Sequence, residues 1–195
     1  IFPPKGSGMI EEDLLDERWN NLMSAIHTTG EITKRNIELQ ELEGEFYFGG
    51  NNLILIEIGS LKYKTLMNGW LNHLYLSANS SFNSKTVIIS KKTNYSKKIN
   101  FEVTKEILPI NTQEAAKTLR EINQIAVEGR KNCWPIPPES GLAYALATND
   151  QKKNKEDLFQ KRWEGDLYMQ GERESLTMEL CFGKECKSST LLNDE

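Results

Sequence analysis

Glu57 is the residue whose type and position most invite chemistry. It lies near the end of a short apolar run, Leu53 to Ile58, dense in β-branched residues, the composition of a buried strand. A carboxylate there is placed to hold a divalent cation or to move a proton. Mg²⁺ keeps most of its waters and wants at least two anionic ligands, so Glu57 needs help. Glu45 is the nearest acid in the preceding segment, and Lys62 and Lys64 follow closely enough to swing back. Other constellations are poorer. His27 and His73 are the only histidines and stand far apart, and Cys133, Cys181 and Cys186 form no CxxC pair. A His/Cys metal site and a Ser-His-Asp relay therefore have little support. Three cysteines without a secretory leader read as free thiols rather than a disulfide framework. Glu11, Glu12, Asp13, Asp16 and Glu17 crowd together. They read as the opening of a helix, where carboxylates suit the positive end of the dipole. No His or Asn supplements them as metal ligands, and no cofactor is expected.

The elements that must position Glu57 are legible around it. Leu42 to Phe48 alternates and is rich in aromatics, Gly49 to Asn52 is a turn cluster, and Gly59 and Ser60 punctuate the second strand. Leu66, Trp70, Leu71, Leu74, Tyr75 and Ala78 then fall on one helical face. The order is strand, turn, strand, helix. Ahead of it, Ile1 to Gly8 is too rich in Pro and Gly to be helical. A helix follows with Leu15, Trp19, Leu22 and Ile26 as its apolar stripe, ended by Thr28 to Gly30. Ile37 to Leu42 reads as a strand leading in. Downstream, Thr86 to Ser90 and Ile99 to Val103 are strands. Asn111 to Gly129 is a helix with Asn111 and Glu114 as a capping pair and Gly129 as the C-cap. Cys133 to Gly141 is an extended, proline-stiffened crossing. Short helices are expected at Gly141 to Ala147 and Asp157 to Arg162, and Lys184 to Glu195 is expected to fray. This order predicts an α/β or α+β sandwich.

The chain has 195 residues, 38% of them hydrophobic, and a formal net charge of −4. No apolar run approaches the ~20 residues that span a bilayer, so no membrane association and a cytoplasmic location are expected. The chain also reads as a piece of something longer. A free-standing DNA-binding domain is more often basic, so any nucleic-acid contact must come from a local patch. Lys85 to Lys105 offers one, with six lysines against a single acid, Glu102. It reads either as a solvated edge hairpin or as a phosphate-contacting finger. In the second reading Lys91, Lys92, Lys97 and Lys98 meet phosphates and Tyr95 stacks on a base. Trp134 reads as packing against the rigid crossing or as an exposed anchor for a partner subunit.

The strand–turn–strand–helix layout resembles that of PD-(D/E)xK nucleases. In their RecB-type branch the first strand reads G-x-x-D and the second ends D-Y-K-T. The matching residues here are Gly44-Glu45-Phe46-Tyr47 and Glu57-Ile58-Gly59-Ser60. Tyr47 stands where the Asp is expected and Gly59 where the Lys is expected, so only Glu57 remains. Beyond the hairpin, FPPKGSG at the start, LMNGWLNHLYLSAN, PPESGLAYA at Pro137 to Ala145 and WEGDLYMQGERES at Trp163 to Ser175 follow in an order that resembles the C-terminal domain of RecC, the gamma subunit of exodeoxyribonuclease V. The resemblance implies a restriction-endonuclease-like mixed sheet flanked by helices over residues 1–183, with a flexible tail at 184–195. It implies no catalytic residues, Tyr47, Glu57 and Gly59 being relic positions, and no metal. It implies a non-catalytic role within the helicase–nuclease: docking RecB-type and RecD-type subunits and guiding and splitting DNA during double-strand-break repair. Two alternatives stand beside it. One is an active Mg²⁺-dependent DNase using Glu57, Glu45 and a lysine relocated to Lys62 or Lys64. The other is a protein-interaction domain with no nucleic-acid role.

Overall fold

The computed structural model describes residues 6–39, 42–80, 82–92, 100–132, 137–148, 154–167 and 169–192. The chain divides into two compact units, 1–124 and 125–195.

The first unit opens with helix α1 (Gly6–His27), followed by strands β1 (Ile32–Leu39), β2 (Leu42–Gly49) and β3 (Asn52–Glu57). Helix α2 (Tyr63–Asn79), strands β4 (Thr86–Lys91) and β5 (Phe101–Ile107), and helix α3 (Thr112–Asn132) complete it, α3 running on past the division. The five strands form one mixed sheet in sequential order. β1–β2, β2–β3 and β4–β5 are antiparallel, and β3–β4 is parallel because α2 makes the crossover between them. β4 is buried along nearly its whole length, as its run of β-branched residues dictates.

Each face of the sheet carries its own core. On one, Ile54, Val87 and Ile89 pack with Ala25 and Ile26 of α1. On the other, Phe48 and Leu53 pack with Leu76 of α2, joined by Ile37, Phe46 and Leu55. His73 of α2 is buried, with Nδ1 2.8 Å from the Thr86 hydroxyl. Gly49 is required where the α1 exit crosses the sheet: a Cβ there would lie 2.2 Å from Thr29 Oγ1 and 2.7 Å from Ile54 Cδ1. The capping pair forms as expected, with the Glu114 amide donating to Asn111 Oδ1 at 2.8 Å and Asn111 Nδ2 donating back to the Glu114 carboxylate.

In α1, β1 and α3 four sequence expectations need correction, and the next helix, α4 (Pro138–Thr148), starts inside the stretch expected to be extended. α1 begins at Gly6, inside the Pro/Gly-rich lead-in, so the acidic run lies beyond the first turn and outside the reach of the terminal dipole. Leu15 and Trp19 of its apolar stripe are exposed, while Leu22 and Ile26 pack on the sheet. β1 starts at Ile32, five residues earlier than expected. α3 continues through Gly129 to Asn132, since one glycine inside a helix costs only ~1 kcal/mol.

The second unit contains helices α4 (Pro138–Thr148), α5 (Lys155–Glu164), α6 (Leu176–Phe182) and α7 (Ser188–Leu192), with a small β6–β7 hairpin (Gly165–Asp166, Met169–Gln170) and a 3-10 turn at Glu172–Glu174. Trp163 is fully buried at its centre and donates from Nε1 to the Cys186 carbonyl at 2.9 Å. Carboxylates tie its helices together. Glu172 accepts from the Glu139 and Ser140 amides and the Ser140 hydroxyl at the start of α4. Glu164 accepts from the Ser188 amide and hydroxyl at the start of α7. The stretch expected to fray after residue 183 is thus, through residue 192, fastened to α5.

Candidate functional site

Glu57 sits at the last position of β3, opposite Ser90 of the parallel neighbour β4. Its side chain is 16% exposed and points along the α2 face of the sheet, toward the start of that helix. Thr65 Oγ1 donates to Oε2 at 2.5 Å, and the Gly59 amide donates to Oε1 at 3.4 Å. Lys62 Nζ stands 3.6 Å from Oε1. Lys62 is the N-cap position of α2 and makes no side-chain capping bond. The Thr65 hydroxyl foremost, then the Gly59 amide and Lys62, hold the Glu57 carboxyl below the usual carboxylate range, against the upward push of burial. Both oxygens are therefore engaged within the protein. The carboxylate ties the end of β3 to the first turn of α2.

The other residues proposed for this site are not gathered around it. The two-residue turn pairs Gly49 with Asn52, Phe48 with Leu53 and Tyr47 with Ile54. Residues directly opposite share a face and neighbours along a strand alternate. Tyr47 therefore lies with Ile54 on the α1 face. Glu57 lies with Leu53 and Leu55 on the α2 face. Glu45, two residues from Tyr47, shares the α1 face and pairs with Lys34 at 2.6 Å. Among the described side chains, those of β2 on Glu57's own face are Phe46 and Phe48, which belong to the apolar cluster under α2. Gly59 does adjoin the carboxylate, since a Cβ built on it would lie 3.6 Å from Glu57 Oε1. Lys64 is exposed in the first turn of α2, so Lys62 is the lysine that approaches. No cluster of three or more His, Cys, Asp or Glu side chains able to hold a metal occurs among the described residues. Thr65, the strongest partner of Glu57, escaped the sequence reading, because a hydroxyl in a helix's first turn carries no signal of what it will meet.

The lysine patch is less bare than its composition suggests. Lys92 bonds Glu102 at 2.8 Å across the β4–β5 pair, and Lys85 bonds Glu106 at 2.5 Å. Glu106 lies one residue beyond the Lys85–Lys105 stretch. Lys105 is exposed and Lys91 is half-buried. Tyr95, Lys97 and Lys98 lie outside the described residues, as does Trp134.

Residues 1–149 match the family model of the RecC C-terminal domain. The segment spans the whole first unit and α4, and includes the hairpin, the α2 landmark and PPESGLAYA. WEGDLYMQGERES lies beyond it. No curated protein matches the chain. No described helix is long and apolar enough to cross a membrane.

Proposed function

Because the chain belongs to the RecC C-terminal domain family, we propose that it is a non-catalytic, nuclease-like module of a RecC-type subunit. In this reading it scaffolds the RecBCD helicase–nuclease in the cytoplasm, docks RecB-type and RecD-type subunits, and guides and splits DNA during recombinational repair. An antiparallel hairpin, a crossover helix and a parallel fourth strand support a restriction-endonuclease-like sheet. The single observation that carries the non-catalytic reading is the engagement of both Glu57 oxygens by Thr65, Gly59 and Lys62, with Tyr47 and Glu45 turned to the other face. Mg²⁺ would have to displace those partners and find a second anion where Phe46 and Phe48 stand. DNA contact is assigned to Lys91, Lys92, Tyr95, Lys97 and Lys98, and Trp134 to a partner contact.

One observation favours a second reading. Lys62 reaches the carboxylate beside which a lysine at position 59 would start, so a relocated lysine would serve an active DNase. The experiment uses the chain assembled with its partner subunits, on linear, single-stranded and forked DNA with Mg²⁺ or Mn²⁺. Glu57→Gln is expected to leave cleavage unchanged, because the activity resides in a partner. Loss of cleavage by Glu57→Gln, with assembly intact, overturns the non-catalytic reading. In the same assay, Glu at positions 91, 92, 97 and 98 should weaken forked-DNA binding and flatten its salt dependence. Unchanged affinity and slope remove DNA contact from this hairpin.

A further inference from the structure

α1 is longer than the sheet that it covers. Its 22 residues make about 33 Å of helix at ~1.5 Å per residue. The six residues of β3 make about 20 Å of strand at ~3.3 Å per residue. The C-terminal end of α1 is fixed at the β2–β3 turn, where Thr29 meets Gly49 and the Gly50 amide donates to the Glu31 carbonyl. The excess length therefore emerges at the opposite pole, where β3 ends and β5 begins. Leu15, Trp19, Leu22 and Ile26 share one helical stripe. Leu22 and Ile26 are packed on the sheet, whereas Trp19 is 61% exposed and Leu15 is nearly half exposed. The sheet's α1 face loses its cover at the same pole: Ile56 and Val103 are partly exposed and Ile58 is 76% exposed. A core-facing stripe and the sheet face that it should cover thus both continue past their mutual contact.

The rim of this surface decides what it can receive. Glu12 and Asp16 border the stripe on one side and Glu11 and Arg18 on the other, while Asp13 and Glu17 fall on the opposite face of the helix. These carboxylates lie one turn or more into the helix, so the dipole does not account for them. A nucleic-acid strand would bring phosphates against them. A second copy would bring the same Glu11, Glu12 and Asp16. The chain's own segment 93–99 supplies only Tyr95 and Ile99 as large apolar residues, too little to cover the stripe and the sheet end together. We infer that the α1 overhang and the exposed end of the sheet receive a basic amphipathic segment of a partner subunit, its apolar face on Leu15, Trp19, Ile56 and Ile58 and its Lys or Arg residues against the acidic rim. Exposed Trp on a rigid helix suits such an anchor, combining large contact area with little entropy to lose. The inference rests on the reading of the chain as a subunit module.

The test reconstitutes the chain with RecB-type and RecD-type subunits and uses two variants. Leu15→Ser/Trp19→Ser removes the apolar anchor on exposed positions, so the fold is kept. Glu12→Lys/Asp16→Lys reverses the rim and leaves the anchor. Each is expected to weaken assembly at least tenfold, the second with reduced salt dependence. A benzoylphenylalanine cross-linker at position 19 is expected to capture a partner peptide carrying Lys or Arg beside an apolar stripe. Wild-type assembly with both variants unaffected overturns the inference and leaves the subunit reading standing. A cross-link to residues of the same chain, to a second copy or to DNA also overturns it. Failure of the wild-type chain to assemble at all overturns both.

Discussion

At the scale of the residue, Glu57 holds two elements together through bonds that its charge strengthens. Thr65 donates to one oxygen, and Gly59 and Lys62 address the other. Thr65→Ala removes the strongest of these and should cost about 1–2 kcal/mol at pH 7, read as a lower urea midpoint at constant slope. The pH dependence has a definite sign. The folded-state pKa of Glu57 is depressed, so its stabilisation is complete above the unfolded carboxylate value and is lost as the pH falls through the folded one. The midpoint difference between wild type and Thr65→Ala should therefore shrink in acid. A difference unchanged between pH 7 and pH 3 would show that Thr65 stabilises the fold by packing alone. Glu57 lies on the strand read for it, and the motif match that sets Tyr47 at the Asp position works within each strand, without parity between them. A two-residue turn pairs positions whose numbers sum to 101, so odd residues of β2 share a face with even residues of β3. Matching a motif by spacing within each strand passes over this constraint between strands.

At the scale of the element, alternation and helical periodicity located most strands and helices because each has one face to bury. Extent was harder to read. The stripe from Leu15 to Ile26 has the same period throughout, yet only its second half meets the sheet. Periodicity reports which face of a helix is apolar and carries no information on how far the opposing layer reaches. The lysine excess was likewise counted along the chain, whereas Lys85 and Lys92 are answered across the β4–β5 pair by Glu106 and Glu102. A contact invisible to local pattern also fixes α4. Its first amides are held by Glu172, more than thirty residues away. Glu172→Ala should expose those amides and cost about 1–3 kcal/mol, since charged acceptors are the stronger ones. Hydrogen exchange at Glu139 and Ser140 should accelerate while α2 and β4 keep their protection. Equal exchange in the variant would mean that α4 is held by packing alone.

At the scale of the whole molecule, the two units have separate cores, and the second closes only with its last helix. Trp163 is fully buried, its indole nitrogen is satisfied by the Cys186 carbonyl, and Glu164 is bound by Ser188. Phe182 stands edge-on to Trp163, with ring centroids 5.4 Å apart, and Gly171, between β7 and the 3-10 turn, lets the chain approach: a Cβ there would lie 2.5 Å from the Trp163 carbonyl oxygen. Composition after residue 183 offered little to bury, and so the segment read as a tail. Hydrogen bonds to the Glu164 carboxylate and from the Trp163 indole fasten it, beside the half-buried Leu191 and Leu192. A chain ended at Gly183 would leave the Trp163 nitrogen without its acceptor and the Glu164 carboxylate without its principal partner, the one that most lowers its pKa. An indole N–H that loses this partner costs about 1–3 kcal/mol if it stays buried, so the truncated unit should open locally around α5. Hydrogen exchange should show α5 deprotected, Trp163 emission should shift to the red, and the amides of β3, β4 and α2 should be unchanged because the first unit has its own two cores. Deprotection spreading to β4 would mean that the units unfold as one, and an unshifted Trp163 would mean that the last helix is dispensable.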